Sequence, residues 1–219
     1  MEIVSRMPYS SNATFLVNIT SGDAQCQGIY KPLKGERPLW DFEPGLHKRE
    51  VAAYELSEAM SMDIVPPTVL REGQFGEGSV QFFVNAVLDE HYFSIYENRP
   101  KLHDRLRAMC AFDIVANNTD RKGGHCLLDT QQRVWAIDHG VCFAADFKLR
   151  TVIWEFGGEE LPQKLRDVIE PLVESVPLNV STLLTSDEVF ALQERAQWIC
   201  EGGAFPIDKT GSRYPWPLV

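Results

Sequence analysis

Two carboxylates on either side of a short hairpin carry the clearest chemistry in the chain. Asp120 opens a polar loop, Asp120-Arg121-Lys122-Gly123-Gly124-His125, and two short strand-like runs follow at 126–128 and 134–137, joined by a polar turn. The second run delivers Asp138, with Gly140 two residues later. An acid just before a hairpin and an acid just after it converge at the hairpin's open end. Phosphoryl transfer needs that pair: one carboxylate to orient or deprotonate an acceptor hydroxyl, another to hold the metal that bridges the ATP phosphates. A third candidate is Lys31, in the apolar run Gly28-Ile29-Tyr30-Lys31-Pro32. An ammonium on an apolar strand is costly unless it meets an anion. The α/β-phosphates together with a helix glutamate would be that anion. The alternative is an ordinary lysine on an edge strand, which Pro32 would suit.

The elements that must position these groups follow from local pattern. Residues 13–20 alternate β-branched or aromatic residues with polar ones and predict a strand, with Gly28–Pro32 returning after a turn at Gly22-Asp23. Tyr9-Ser10-Ser11-Asn12 precedes the first strand as a small polar turn, of the kind that can aim backbone N–H groups and hydroxyls at an anion, or that is simply a turn. The loop 34–45 holds Trp40 and Phe42, both expected to pin it to the body because unpartnered exposed aromatics are a liability. Helix 46–60 follows, with Arg49, Ala53, Leu56 and Met60 at helical spacing and Glu50 beside that stripe. Glu50 could reach Lys31, with Glu55 and Glu58 as competing candidates.

Pro66-Pro67 stop that helix. Strand signals resume at Thr68 and again at Ser79–Val84, around a turn at 73–78, and the segment 89–100 reads as a loop or linker and the best candidate boundary. A helix is expected over 101–117, an irregular aromatic segment over 141–161, an amphipathic helix over 161–175 and another over 187–200. The last opens on the capping-box signature Thr185-Ser186-Asp187-Glu188. The tail 202–219 is expected to be extended and to dock through its aromatics.

The loop from Asp120 to His125 followed by Ile137-Asp138-His139-Gly140 resembles the catalytic and metal-binding loops of the phosphatidylinositol 3- and 4-kinase-like family, which carry D-R-x-x-x-N and then D-x-G. The whole chain is similar to a small bacterial, largely actinobacterial, branch of predicted kinases that shares Ser-Asn-Ala-Thr-Phe-Leu, Tyr-Lys-Pro and Ile-Asp-His-Gly. The resemblance implies an α+β, two-lobed protein-kinase-like fold. Its N-lobe (1–88) would be an antiparallel sheet plus one helix, and its C-lobe (89–219) mainly helical. It decides for Glu50, through Arg-Glu-Val-Ala-Ala-Tyr, as the partner of Lys31. It also implies ATP as cofactor with Mg2+ or Mn2+. In that reading Ser10, Ser11, Asn12, Lys31 and Lys122 face the nucleotide and Asp138 with His125 holds metal. Asp120 orients the acceptor, and Arg121 or Lys122 offsets charge on the transferring group. Where the family has an asparagine, His125 would offer a softer ligand that suits manganese better than magnesium.

At 219 residues and 44% hydrophobic content, the chain can bury a core in one large domain or two lobes. A net charge of −10 argues against general binding to a phosphate backbone, which needs basic surface. No apolar run approaches a membrane span. Five scattered cysteines without a C-x-x-C pair fit a reduced, cytoplasmic protein. The phosphoacceptor is left open between protein, lipid and small molecule, with only Lys148 and Arg150 in the segment after Asp138 to suit an anionic lipid headgroup. Two other readings stand beside an active kinase. One is a catalytically silent nucleotide-binding pseudokinase. The other is a metal-dependent phosphohydrolase using Asp120, His125, Asp138 and His139, which would leave Lys31 and Glu50 idle.

Overall fold

The computed structural model describes residues 1–8 and 10–219, and Tyr9 of the expected phosphate-facing turn lies outside them. The N-terminal part is a five-stranded antiparallel sheet of order β1-β2-β3-β5-β4, formed by Glu2–Arg6, Phe15–Ser21, Ala24–Pro32, Gly76–Phe82 (β5) and Thr68–Gly73 (β4). β3 sits inside the sheet, between β2 and β5, so the edge-strand alternative for Lys31 is excluded. Lys31 pairs with Ser79 and Pro32 with Gly78. Gly78 is required there: a Cβ would lie 2.4 Å from the Lys31 carbonyl oxygen and 2.7 Å from Pro32 Cα. β1 was not foreseen from the sequence, and β5 starts at Gly76, within the expected turn.

Helix α1, Leu46–Ala59, connects β3 to β4. It is buried nearly all round, at Leu46, His47, Arg49, Glu50, Val51, Ala52, Ala53 and Leu56. The reason is that it is shared. Ala52, Ala53, Leu56 and Met60 join one core with Met109 and Phe112 of α3 (His103–Val115) and Leu192 and Ala196 of α7 (Ser186–Gly202). The sheet keeps only a small cluster of its own, Val17, Tyr30 and Val80. Helix α1 also packs on β4 and β5 of the sheet, so its burial, worth about 1.5–3 kcal/mol for each fully buried large apolar side chain, ties the two parts together.

The segment 89–100, expected as a loop or linker, contains α2, Tyr92–Asn98. Tyr92 and Ile95 are fully buried, and a cap built by His91 and Ser94 starts the helix. The helix is only seven residues long and mixes Ser94, Glu97 and Asn98 with its aromatics, so no apolar stripe stands out in the sequence. The rest of the C-terminal part comprises the hairpin β6–β7 (Cys126–Leu128, Val134–Ala136) and three short helices, Gln163–Ile169 (α4), Pro171–Glu174 (α5) and Leu178–Ser181 (α6), ahead of α7. The capping box of Thr185 and Glu188 opens α7 as the sequence predicts. Among the described residues, no helix is long and apolar enough to cross a membrane.

Gly45 precedes α1 without a capping side chain. Glu36 supplies the cap from the preceding loop, accepting from Gly45 N at 2.8 Å and His47 N at 2.9 Å. The His47 ring lies between Glu36 Oε1 (Nδ1, 3.0 Å) and Glu77 Oε1 (Nε2, 3.0 Å). With a carboxylate at each nitrogen, the ring is satisfied only as imidazolium, which donates from both. Burial opposes that charge, but the two acids overcome it and raise the His47 pKa. A raised folded-state pKa adds stability that is full below the unfolded value of about 6.5 and fades as pH rises through the folded value. The melting-temperature gap between wild type and His47→Gln is therefore expected to be widest near about pH 6 and to narrow by about pH 9. A gap independent of pH would contradict the imidazolium assignment.

Candidate active site

The site is assembled around Lys31. Its Nζ contacts Glu50 Oε1 and lies 2.8 Å from Asp138 Oδ1. One ammonium thus joins the sheet, helix α1 and the segment after β7. Burial opposes the charge of Lys31, yet the Asp138 and Glu50 carboxylates more than offset it and hold its pKa above the ordinary lysine value. In turn the Lys31 ammonium, against the opposing effect of burial, keeps Asp138 well below the usual carboxylate range. Asp138 therefore stays ionised, and its side chain is half exposed at 49%. Its backbone adopts φ 62°, a left-handed conformation that aspartate tolerates better than most residues and that concentrates at functional positions.

Glu50 does a second job. Its Oε2 accepts from His139 N at 3.0 Å, so one buried carboxylate fixes both the ammonium and the backbone beside Asp138. Gly140 lies against the same carboxylate, where a Cβ would meet Glu50 Oε1 and Leu46 Cβ at 3.4 Å, in ordinary contact.

His125 links the two acid-bearing segments. Its Nδ1 lies 3.0 Å from the Asp120 carbonyl oxygen, which only accepts, so Nδ1 carries the proton. Burial lowers the pKa of the ring, so it is neutral and Nε2 bears a lone pair. That nitrogen lies 3.3 Å from Asp138 Oδ2. A lone pair facing a carboxylate oxygen is an arrangement that a cation relieves. Imidazole nitrogen plus carboxylate oxygen is a donor set that divalent ions accept. Among the described residues no group of three or more His, Cys, Asp or Glu could hold a metal. His125 Nε2 and Asp138 Oδ2 are thus two adjacent donors, fewer than a metal site formed by protein groups alone needs.

Asp120 is positioned from beneath. Asn118 Oδ1 accepts from Asp120 N at 3.0 Å, and Asn118 Nδ2 donates to Asp113 Oδ1 at 3.0 Å. The Asp120 side chain is partly exposed and pairs with Lys122 Nζ at 2.8 Å. Asn117, in the left-handed conformation that often follows a helix end, ties down the segment after Asp138. It donates to the carbonyls of Ala144 (2.8 Å) and Asp146 (2.7 Å) and accepts from Lys148 N (2.9 Å). Neither asparagine was singled out from the sequence. The pair at the end of a helix was the available signal.

Several expectations require correction. Arg121, expected to offset charge on the transferring group, is fully buried. Its Nε and Nη2 donate to Asp113 Oδ2 and Oδ1, both at 2.9 Å. Nη1 donates to the Ile137 and His125 carbonyls at 2.8 and 3.2 Å, and Nη2 also to His139 Nε2 at 2.7 Å. Every N–H of the guanidinium is taken, which leaves none for a phosphate. Asp113 thus braces the loop. His139, buried and held neutral by that burial, is committed to Arg121 and is unavailable as a metal ligand. Trp40 is 93% exposed and pins nothing, whereas Phe42 is buried. Ser10 pairs with Thr14 at 2.7 Å, and Asn12 Oδ1 accepts from Arg37 N at 2.9 Å. Among the described residues, Ser10, Ser11 and Asn12 make no polar contact with the Lys31 cluster. The tail reaches the catalytic loop itself, where Gly123 N donates to Leu218 O at 2.7 Å.

No family model matches the sequence. Protein Rv2133c of Mycobacterium tuberculosis is 32% identical, over 99% of this chain and 91% of that protein. A crystal structure of a Helicobacter pylori proinflammatory kinase, CtkA, covers 93% of both chains at a TM-score of 0.53 and 10% identity. The chain thus has a kinase-like, two-lobed α+β fold, with the antiparallel sheet and α1 first and the helices after.

Because Arg121 and Asp113 are both fully buried, removing one strands the other. Arg121→Ala is expected to cost about 3–5 kcal/mol of unfolding free energy, read from denaturant midpoints. A loss below about 1 kcal/mol, typical of an exposed pair, would contradict this bracing role.

Proposed function

The chain belongs to the family of the mycobacterial Protein Rv2133c, and we propose that it is an ATP-dependent phosphotransferase of the atypical kinase type, acting on a hydroxyl acceptor. The observation that carries this reading is the single ammonium of Lys31, shared between the helix carboxylate of Glu50 and the half-exposed carboxylate of Asp138. A kinase uses that lysine to grip ATP phosphates and that aspartate to hold the metal. The order of these residues, with the D-R and D-x-G elements, supports a place nearest the phosphatidylinositol 3- and 4-kinase-like group.

In this mechanism Glu50 holds Lys31 while its ammonium turns from Asp138 to the α/β-phosphates. Asp138 and His125 are the residues that would hold Mg2+ or Mn2+, and the ion would supply charge neutralisation on the phosphates. Asp120 accepts the proton of the acceptor hydroxyl as its oxygen bonds to the γ-phosphorus and the bond to the bridging oxygen of ADP breaks. Lys122, beside Asp120, is the cation left to offset charge on the transferring group, now that Arg121 is committed elsewhere. Ser10, Ser11 and Asn12 lie ahead of β2, on the side from which a phosphate-covering turn would close.

A silent nucleotide-binding module would share every binding feature, so turnover separates the readings. Incubation with labelled ATP and Mn2+ or Mg2+, with mass spectrometry of the protein and of a cell extract, is expected to show metal-dependent phosphate transfer. Asp138→Asn should abolish it while leaving the fold intact. Asp120→Asn should lower it about 10²–10⁴-fold, the range of a lost acid–base group, with nucleotide binding retained. Transfer undiminished in Asp138→Asn would end the assignment. Nucleotide binding without transfer in wild type would favour the silent module.

A further inference from the structure

Beside the site lies a groove of about 570 Å3 between the loop before α1 and the segment around Asp146–Lys148. Its size falls within the range of small-molecule sites. Leu46 lines it and also packs at Gly140, so the groove opens next to the loop that carries Asp138. Within it the Lys148 ammonium lies 5.4 Å from the centroid of the Phe42 ring and 5.8 Å from that of Trp40. Asp41 completes the surround, with its carbonyl oxygen at 3.3 Å and Oδ2 at 3.4 Å. Two aromatic faces and an acid around an ammonium make a cation site. Its resident is held loosely, at the long end of hydrogen-bond distances.

We propose that this groove binds a small-molecule phosphoacceptor through an ammonium group, which takes the place that the Lys148 side chain occupies in the free protein. The acceptor role rests on the kinase reading; the ammonium site does not. Three observations favour this occupant. The Lys148 backbone is fixed by Asn117, so only its side chain must swing away. Trp40 is 93% exposed, leaving apolar ring surface for a ligand to cover. With Glu36 committed to His47, the lining acids Asp41, Glu43 and Asp146 still outnumber the bases Arg37 and Lys148, and among the described residues Glu43 and Asp146 have no ion-pair partner. Leu46, which lines the groove and lies against Gly140, is the side chain that separates this ammonium site from the loop carrying Asp138.

The test is calorimetric titration of the full chain, without nucleotide, with choline and ethanolamine, and with ethylene glycol as the uncharged control. Saturable binding of the amines but not the glycol is expected. Trp40→Ala should weaken it about three- to tenfold, the worth of one cation–aromatic contact. That side chain is exposed enough for the variant to fold. Lys148→Ala, by removing the resident, should tighten amine binding by several fold. No amine binding in wild type or Lys148→Ala overturns the proposal, as does Lys148→Ala binding no better than wild type. MnATP titrated into the same samples separates the two readings. ATP binding without amine binding leaves the kinase assignment standing and sinks the groove. Amine binding without ATP binding supports the ammonium site and removes its role in phosphoryl transfer.

Discussion

A single buried guanidinium holds the chemistry in place. Arg121 stands immediately after Asp120, and its donors run to helix α3 through Asp113, to the end of its own loop at the His125 carbonyl, and to both sides of Asp138 at Ile137 and His139. A buried charge is costly unless it is paired and fully hydrogen-bonded, and both conditions are met. The result is that Asp120, His125 and Asp138 are fixed relative to one another by a residue that touches none of their reactive atoms. A lysine could not replace it, because the planar fork is what reaches four backbone and side-chain partners at once.

The second constraint is the way α1 bridges the sheet and the helical part. Its apolar face belongs to the core of the helices that follow, Arg49 pairs with Glu188 of α7 and donates to the Cys142 carbonyl at 2.8 Å, and Glu50 fixes His139 N. Lys31 is thus held against a helix already bound to the rest of the site. On the proposed kinase reading, pre-organisation of this kind lowers the cost of gathering charged groups around a phosphate. The proposed function then asks only that the Lys31 ammonium turn from Asp138 to an incoming anion.

How much of this was legible in the sequence depended on whether a residue's role follows from its local pattern. Lys31 in an apolar strand and Asp138 after a hairpin stand out as candidates because a buried charge demands a partner, whereas the local pattern leaves Glu50 level with Glu55 and Glu58 and the family resemblance decides between them. Arg121 was misread for the opposite reason. Flanked by Asp120 and Lys122 it looks like part of a solvated, reactive loop, and only its tertiary burial turns it into a brace. Asn117 acts through its amide on backbone groups of Ala144, Asp146 and Lys148, distant in sequence, and Asn118 works through the buried Asp113, so neither role follows from a spacing rule. The α2 helix was hidden by its shortness and by the polar residues mixed with its aromatics, and Trp40 was placed inside on the general preference for covering aromatics. These misses are all cases where tertiary context overrides a local signal.

The central claim is convergence: the Asp138 carboxylate and the His125 nitrogen form one half-shell for an ion brought in with nucleotide. The most direct measurement is the paramagnetic effect of Mn2+, added with a non-hydrolysable ATP analogue, on assigned histidine resonances. The account predicts that His125 and its neighbour His139 broaden at low ion concentration, that His103 stays sharp, and that the effect vanishes in Asp138→Asn. A His125 signal that remains sharp while nucleotide is bound would contradict it.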